Sequence, residues 1–129
     1  MEYFIDYNVE KDFINIKVKG KLTFQMAAKY SIEAIKLAHQ YKCHRYLIDH
    51  TETKLEGAGM YKLHTDGAAL EKFGFKEIDK VAIIISHLKD DRLFTEKAEH
   101  NAKWSNFKYF DNAEEALDWL DTGTSQKQD

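Results

Sequence analysis

One cysteine, Cys43, in 129 residues leaves no partner for an internal disulfide. None is needed, because a domain of this length buries about two thirds of the surface its unfolded chain exposes. A lone thiol argues against an extracellular cystine framework and suits a reducing cytoplasm. Charge of one sign is missing as well: 19 basic against 22 acidic side chains leave a net charge of −3, with no concentrated basic face, so nucleic acid is not an expected partner. No apolar run approaches the roughly 20 residues a membrane-spanning helix requires. The opening Met1-Glu2-Tyr3-Phe4-Ile5-Asp6 has neither a basic n-region nor an apolar h-region, and a cytoplasmic location is expected. Proline is absent altogether, and no functional reading follows from that. What is present, 43% hydrophobic and 13% aromatic residues, places the chain among globular proteins.

Tyr3, Ile5, Tyr7 and Val9 alternate with Phe4, Asp6 and Asn8, and after Glu10-Lys11-Asp12 the residues Ile14, Ile16 and Val18 alternate with Asn15, Lys17 and Lys19. A period of two on both sides of a polar break predicts an antiparallel hairpin with one face buried, ended by Gly20. Thr23 suits the N-cap of a helix to about Gln40, with Phe24, Ala28, Ile32 and Ile35 on one face. Arg45 to His50 reads as a strand followed by a polar loop, Thr51-Glu52-Thr53-Lys54. A second helix is expected from about Gly57 to Phe73, stopped by Gly74 in the left-handed conformation with Phe75 touching Leu70. Lys80 to Ser86 reads as the central strand, since five consecutive apolar residues imply burial on both faces and helices on more than one side. A third helix is expected from Asp91 to Trp104, aligning Phe94, Ala98 and Ala102. Phe107 to Phe110 is the last strand. Asp111 and Glu114 have the spacing of a capping box for a fourth helix carrying Ala113, Ala116, Leu117 and Leu120.

The expected fold is α/β, in the order ββαβαβαβα: a mainly parallel sheet with an antiparallel N-terminal strand and four helices. Residues 1–120 form one domain, with 121–129 as a disordered tail. Strands separated by single helices are expected to run parallel.

Five segments stand out in order: Gly20-Lys21-Leu22-Thr23 after the hairpin, Tyr46-Leu47-Ile48-Asp49 before the polar loop, Gly57-Ala58-Gly59-Met60 opening the second helix, Lys80-Val81-Ala82-Ile83-Ile84, and Phe110-Asp111-Asn112-Ala113-Glu114-Glu115-Ala116-Leu117-Asp118-Trp119-Leu120. In this order and spacing they resemble the SpoIIAA-like and STAS family. The resemblance implies the family's α/β fold and, from its founding anti-sigma-factor antagonists, a regulatory role through a protein partner. In those antagonists a serine or threonine just before a glycine at the start of the second helix accepts phosphate. Here the matching segment is Glu56-Gly57-Ala58-Gly59, and neither Gly57 nor Ala58 has a hydroxyl to phosphorylate. Thr51 and Thr53, upstream, are the nearest substitutes, although loop threonines commonly serve as turn formers.

Candidate chemistry clusters where strands end. His50 and His87 each follow a strand, and ligands of open α/β sheets sit outside the carboxyl ends of parallel strands. Thr51, the Gly57-Ala58-Gly59 turn and Asp90 would complete a polar rim. No HxH or HExxH spacing accompanies the histidines, so no metal or cofactor is expected; the plainer reading is two histidines at strand ends. A hydrolase would recruit Ser86, His50 and Asp49, but Ser86 lacks the Gly-x-Ser-x-Gly elbow, and Asp49 and His50, adjacent on a strand, point to opposite faces. Gly57-Ala58-Gly59 at a helix start suits an anion, or serves only to let that helix approach the sheet. Cys43, between Lys42 and His44, reads as a packing residue. Tyr3, Phe4, Tyr7, Phe13, Phe24, Tyr109 and Phe110 cannot all face one core; either a helix covers them or a patch remains for a dimer contact or a pocket.

The resulting expectation is a non-enzymatic binding or regulatory module acting through a protein partner or self-association, with no catalytic residues. Its candidate surface is His50, Thr51, Thr53, Lys54, Gly57, Ala58, Gly59, Met60 and His87. The alternative is a carrier or sensor of a small apolar or anionic, lipid-like ligand, by analogy with the CRAL-TRIO fold. A metal-dependent hydrolase is the third reading.

Overall fold

The computed structural model describes residues 2–21, 23–54, 74–76, 78–85 and 107–127. Within them lie β1 (Glu2–Asn8), β2 (Phe13–Lys21), α1 (Phe24–Tyr41), β3 (Arg45–Lys54), β4 (Lys80–Ile84), β5 (Phe107–Phe110) and α2 (Ala113–Lys127). The expected helices over 57–73 and 91–104 lie outside the described residues. The five strands form one sheet in the order β1-β2-β3-β4-β5, with β1 antiparallel to β2 and every later pair parallel.

Strand alternation divides the core into two layers. Ile14, Ile16, Val18, Tyr46, Ile48, Val81, Ile83 and Tyr109 face α1. Phe13, Leu47, Ala82, Ile84 and Phe110 face α2, which covers them with Ala116 and Leu120. β4 is buried along its whole length, as expected of a strand with helices on both faces. Each fully buried Ile or Val contributes about 1.5–3 kcal/mol of apolar burial.

α1 begins where the sequence indicates, with Thr23 Oγ1 accepting from the Met26 N–H at 3.2 Å. Its buried stripe is Ala27, Tyr30, Ser31, Ala34 and Ala38, while Ile32 is 51% exposed. The expected face through Ala28, Ile32 and Ile35 is thus rotated. Alanines bring the helix close enough to the sheet for the larger β-strand side chains to fill the space between them. The helix stops at Lys42, a non-glycine residue in the left-handed region (φ 53°).

Three further boundaries differ from the sequence reading. β3 continues through Thr51–Lys54, which pair with β2 and are not a loop; Glu52, Thr53 and Lys54 lie opposite Lys19, Gly20 and Lys21. β-branched threonines and a Lys–Glu cross-strand pair favour that extension. The α2 cap is Asn112, one residue later than expected: its Oδ1 accepts from the Glu115 N–H at 2.8 Å, and Asn caps as well as Asp. α2 itself runs to Lys127, past Leu120 where its apolar stripe ends, since extending a formed helix adds a hydrogen bond for each residue fixed.

Of the expected helix stop, Gly74 and Phe75 are described, while Leu70 and the helix itself lie outside the described residues. Gly74 has φ +108°, and Phe75 is buried, with its ring edge-on to Tyr46 at 4.9 Å. Two cations tie α2 to the sheet. Arg45 donates to the carbonyls of Lys11, Asp12 and Leu120, joining the β1–β2 turn to the last helix. Lys80, buried beneath Trp119, donates to the carbonyls of Trp119 and Leu120.

Candidate functional site

The carboxyl half of β3 carries the described part of the candidate site. Its pairing with β4 ends at Asp49↔Ile84, so among the described residues Glu52, Thr53 and Lys54 pair with β2 alone. Between these two stretches the register slips: Lys17 faces Asp49, but Lys19 faces Glu52. One extra residue on β3 forms a bulge, a device that re-aims side chains next to functional regions.

Asp49 and Thr51 fix the bulge. Asp49 Oδ1 accepts from the Thr51 N–H at 2.9 Å and from its Oγ1 at 2.6 Å. Thr53 Oγ1 donates to the Val18 carbonyl at 2.9 Å. Lys17 Nζ and Lys19 Nζ each lie 3.7 Å from Glu52 Oε2, on a face where all three side chains are about half exposed. Exposed pairs of this kind contribute about 0–1 kcal/mol each; their effect is to present a mixed-charge surface beside Thr51. Phe4, 56% exposed, completes that surface, with Lys19 Nζ 6.0 Å from its ring centroid.

His50 points the other way, as alternation requires. It is buried beneath α1 and not at the surface, with Nε2 3.0 Å from the Tyr30 hydroxyl. Tyr109 shares this layer. Burial raises the pKa of both tyrosines, and Tyr109 is pushed up further by Tyr30. Tyr3, whose ring lies 6.3 Å from that of Tyr30, has its pKa pushed up to about 12, chiefly by a hydrogen bond to the Glu33 carboxylate and then by burial. A layer of tyrosines around His50 therefore lines the α1 side of the same strand end that carries charges on its other side.

Of the sequence-derived surface, Thr51 is exposed, Thr53 is half-buried and committed to β2, and His50 is internal. Lys54 is the last residue of β3, and its side chain lies outside the described residues, as do Gly57, Ala58, Gly59, Met60, Ser86 and His87. Asp49 and His50 occupy opposite faces, as expected for neighbours on a strand. Cys43 is buried, near the carbonyls of Asp12 and Arg45, and burial raises its pKa. His44 Nδ1 meets Asp79 Oδ1 at 3.0 Å, while Asp79 Oδ2 accepts from the Lys76 N–H. Among the described residues no three His, Cys, Asp or Glu side chains gather as metal ligands, and no helix is long and apolar enough to cross a membrane.

Sequence reading missed Tyr30 and the Lys17–Lys19–Glu52 group. Tyr30 lies off the helix face read from the sequence, and the lysine–glutamate group depends on a register that the bulge creates.

Sequential strand order, one antiparallel edge strand and helices on both faces define a SpoIIAA-like α/β fold. The crystal structure of an uncharacterised DUF3478-family protein with a SpoIIAA-like fold, from Shewanella loihica PV-4, is similar to this chain with a TM-score of 0.57, covering 92% of each chain at 24% sequence identity. No protein-family model matches the chain, and no curated protein matches it.

Proposed function

We propose that the protein is a non-enzymatic binding module that acts through protein–protein contact, self-association included, at the β2–β3 end of its sheet. The observation that carries this reading is the extension of β3 past its β4 pairing. It carries Thr51 and Glu52, beside Lys17, Lys19 and Phe4, on a sheet face where α2 packs against β3, β4 and β5. In sequence this surface is followed by Glu56-Gly57-Ala58-Gly59, the segment that matches the phosphoacceptor region of the family's antagonists. Among the described residues, Asp49 is bonded to Thr51 and His50 to Tyr30, which supports a binding role over a hydrolytic one.

A small-ligand carrier is the second reading, favoured by the Tyr30–His50–Tyr109 layer beneath α1, because a few convergent polar groups in an apolar setting suit a ligand pocket. Native mass spectrometry of untagged protein purified gently from its host separates the two. A second protein chain in stoichiometric amount supports the binding module, and loss of that chain in Glu52→Lys and Lys54→Glu variants assigns the surface. A small adduct released on denaturation transfers the reading to a carrier. A bare monomer overturns both.

A further inference from the structure

We propose that β1 is a self-association edge, at which two copies pair their β1 strands antiparallel about a two-fold axis through Ile5. Two five-stranded sheets thereby become one. This inference rests on the self-association included in the binding-module reading and adds a second contact, β1, to the surface at the β2–β3 end.

β1 stands at the end of the strand order, with β2 as its one strand neighbour among the described residues. All seven of its residues pair with β2 without a register shift, and the first left-handed residue after it is Asp12, in the turn. A long regular edge strand offers a row of backbone donors and acceptors to another chain, and proteins blunt such edges with proline, bulges or lysine. β1, Glu-Tyr-Phe-Ile-Asp-Tyr-Asn, has none of these. Its two carboxylates are already matched within the chain: Glu2 lies opposite Lys19, and Asn15 Nδ2 donates to Asp6 Oδ1 at 3.3 Å.

Side-chain alternation restricts a symmetric seam to axes through a residue position. An axis through Phe4 sets Glu2 against Asp6 of the second copy, twice. An axis through Asp6 sets that carboxylate against itself. The axis through Ile5 opposes no like charges. It pairs Glu2 with Asn8, Phe4 with Asp6, Tyr3 with Tyr7, and Ile5 with its own copy. The Tyr3, Ile5 and Tyr7 pairs all fall on the α1 face, where Tyr7 already stacks on Tyr41 at 4.0 Å and Tyr3 meets Tyr30. Aromatic cross-strand pairs are a main source of sheet stability, so this register continues an existing aromatic row across the seam. Seven opposed pairs supply about six to eight backbone hydrogen bonds, and an isologous contact of this kind closes at two copies.

Sedimentation equilibrium of the full chain tests the proposal. The wild type is expected to show a concentration-dependent monomer–dimer equilibrium. Phe4→Asp, at an exposed position opposite Lys17 in its own hairpin, places two like-charge oppositions in the seam and is expected to weaken the dimer about tenfold. Adding Asp6→Lys turns each opposition into an attraction and is expected to restore it. Circular dichroism checks that each variant keeps the fold. A wild type that stays monomeric, or a Phe4→Asp variant that dimerises normally, overturns the edge assignment. If the wild type is monomeric while protein purified from its host carries a different chain in stoichiometric amount, the edge fails and the binding-module reading stands; if neither assembly forms, both fail.

Discussion

The Tyr30 hydroxyl lies 3.0 Å from His50 Nε2, with both side chains buried between α1 and the sheet. Replacing Tyr30 with Phe keeps the ring and removes that bond. We expect a loss of about 1–3 kcal/mol, the usual cost of taking a partner from a buried polar group. A double-mutant cycle with His50→Leu, read by urea unfolding, should give a coupling energy between the two positions of about 0.5–3 kcal/mol.

Tyrosines make the fold sensitive to alkali. Tyr30, Tyr46 and Tyr109 have their pKa raised by burial, whereas the unfolded chain ionises near 10. For a raised pKa the stabilisation is complete below the unfolded value and is lost as pH rises toward the folded one. Stability should therefore hold up to about pH 10 and fall above it. In an ultraviolet titration the phenolate signal of these three should appear together with loss of the circular dichroism signal. Tyr7, held at about 12 mainly by its hydrogen bond to the Asp12 carboxylate, should ionise late even though it lies near the surface.

At the start of α2 the structure assigns the cap to Asn112 and not to Asp111. Asn112→Ala should cost about 1 kcal/mol, and Asp111→Ala clearly less. Thermal unfolding of the two variants side by side decides between the two caps.

Gly74 combines a φ of +108° with Ile35 Cδ1 only 3.0 Å from where a Cβ would stand. Ala at this position meets both backbone strain and a crowded neighbour. We expect Gly74→Ala to destabilise by at least about 1 kcal/mol in chemical denaturation, with any larger loss reporting how little Ile35 can move.

Much of this architecture was legible because period-two alternation in residues 3–9 and 14–18, the continuous apolar run 81–85 and the aromatic strand before Asn112 are local signals. The positive φ of Gly74 was equally readable, since so few residues accept such a backbone. The rotation of α1 was not, because sequence ranks Ile32 above Ala34 by hydrophobicity, while the sheet selects the residue small enough for close approach. Nor was the extension of β3. Thr51-Glu52-Thr53-Lys54 looks like a loop by polarity, and only its neighbours Lys19 and Gly20, brought alongside by the fold, make it a strand. The site followed the same rule: residue identities at the end of β3 were readable, but the direction in which His50 turns and the partner it meets depend on α1 docking.

Strands that stand side by side in the order of their synthesis never have to be threaded between two already paired. Each can join the growing margin of the sheet as it leaves the ribosome, starting from the β1–β2 hairpin as template. The second layer cannot be finished on that schedule. Phe13, among the first residues made, waits for Leu120 to cover its layer, and Arg45 and Lys80 wait for the carbonyls of the same helix turn. A nascent chain halted before residue 113 would lack the described helix that packs on Phe13, Leu47 and Ile84. Phe13, Leu47 and Ile84, contributed by three different strands, thus share one late-arriving cover in Ala116 and Leu120.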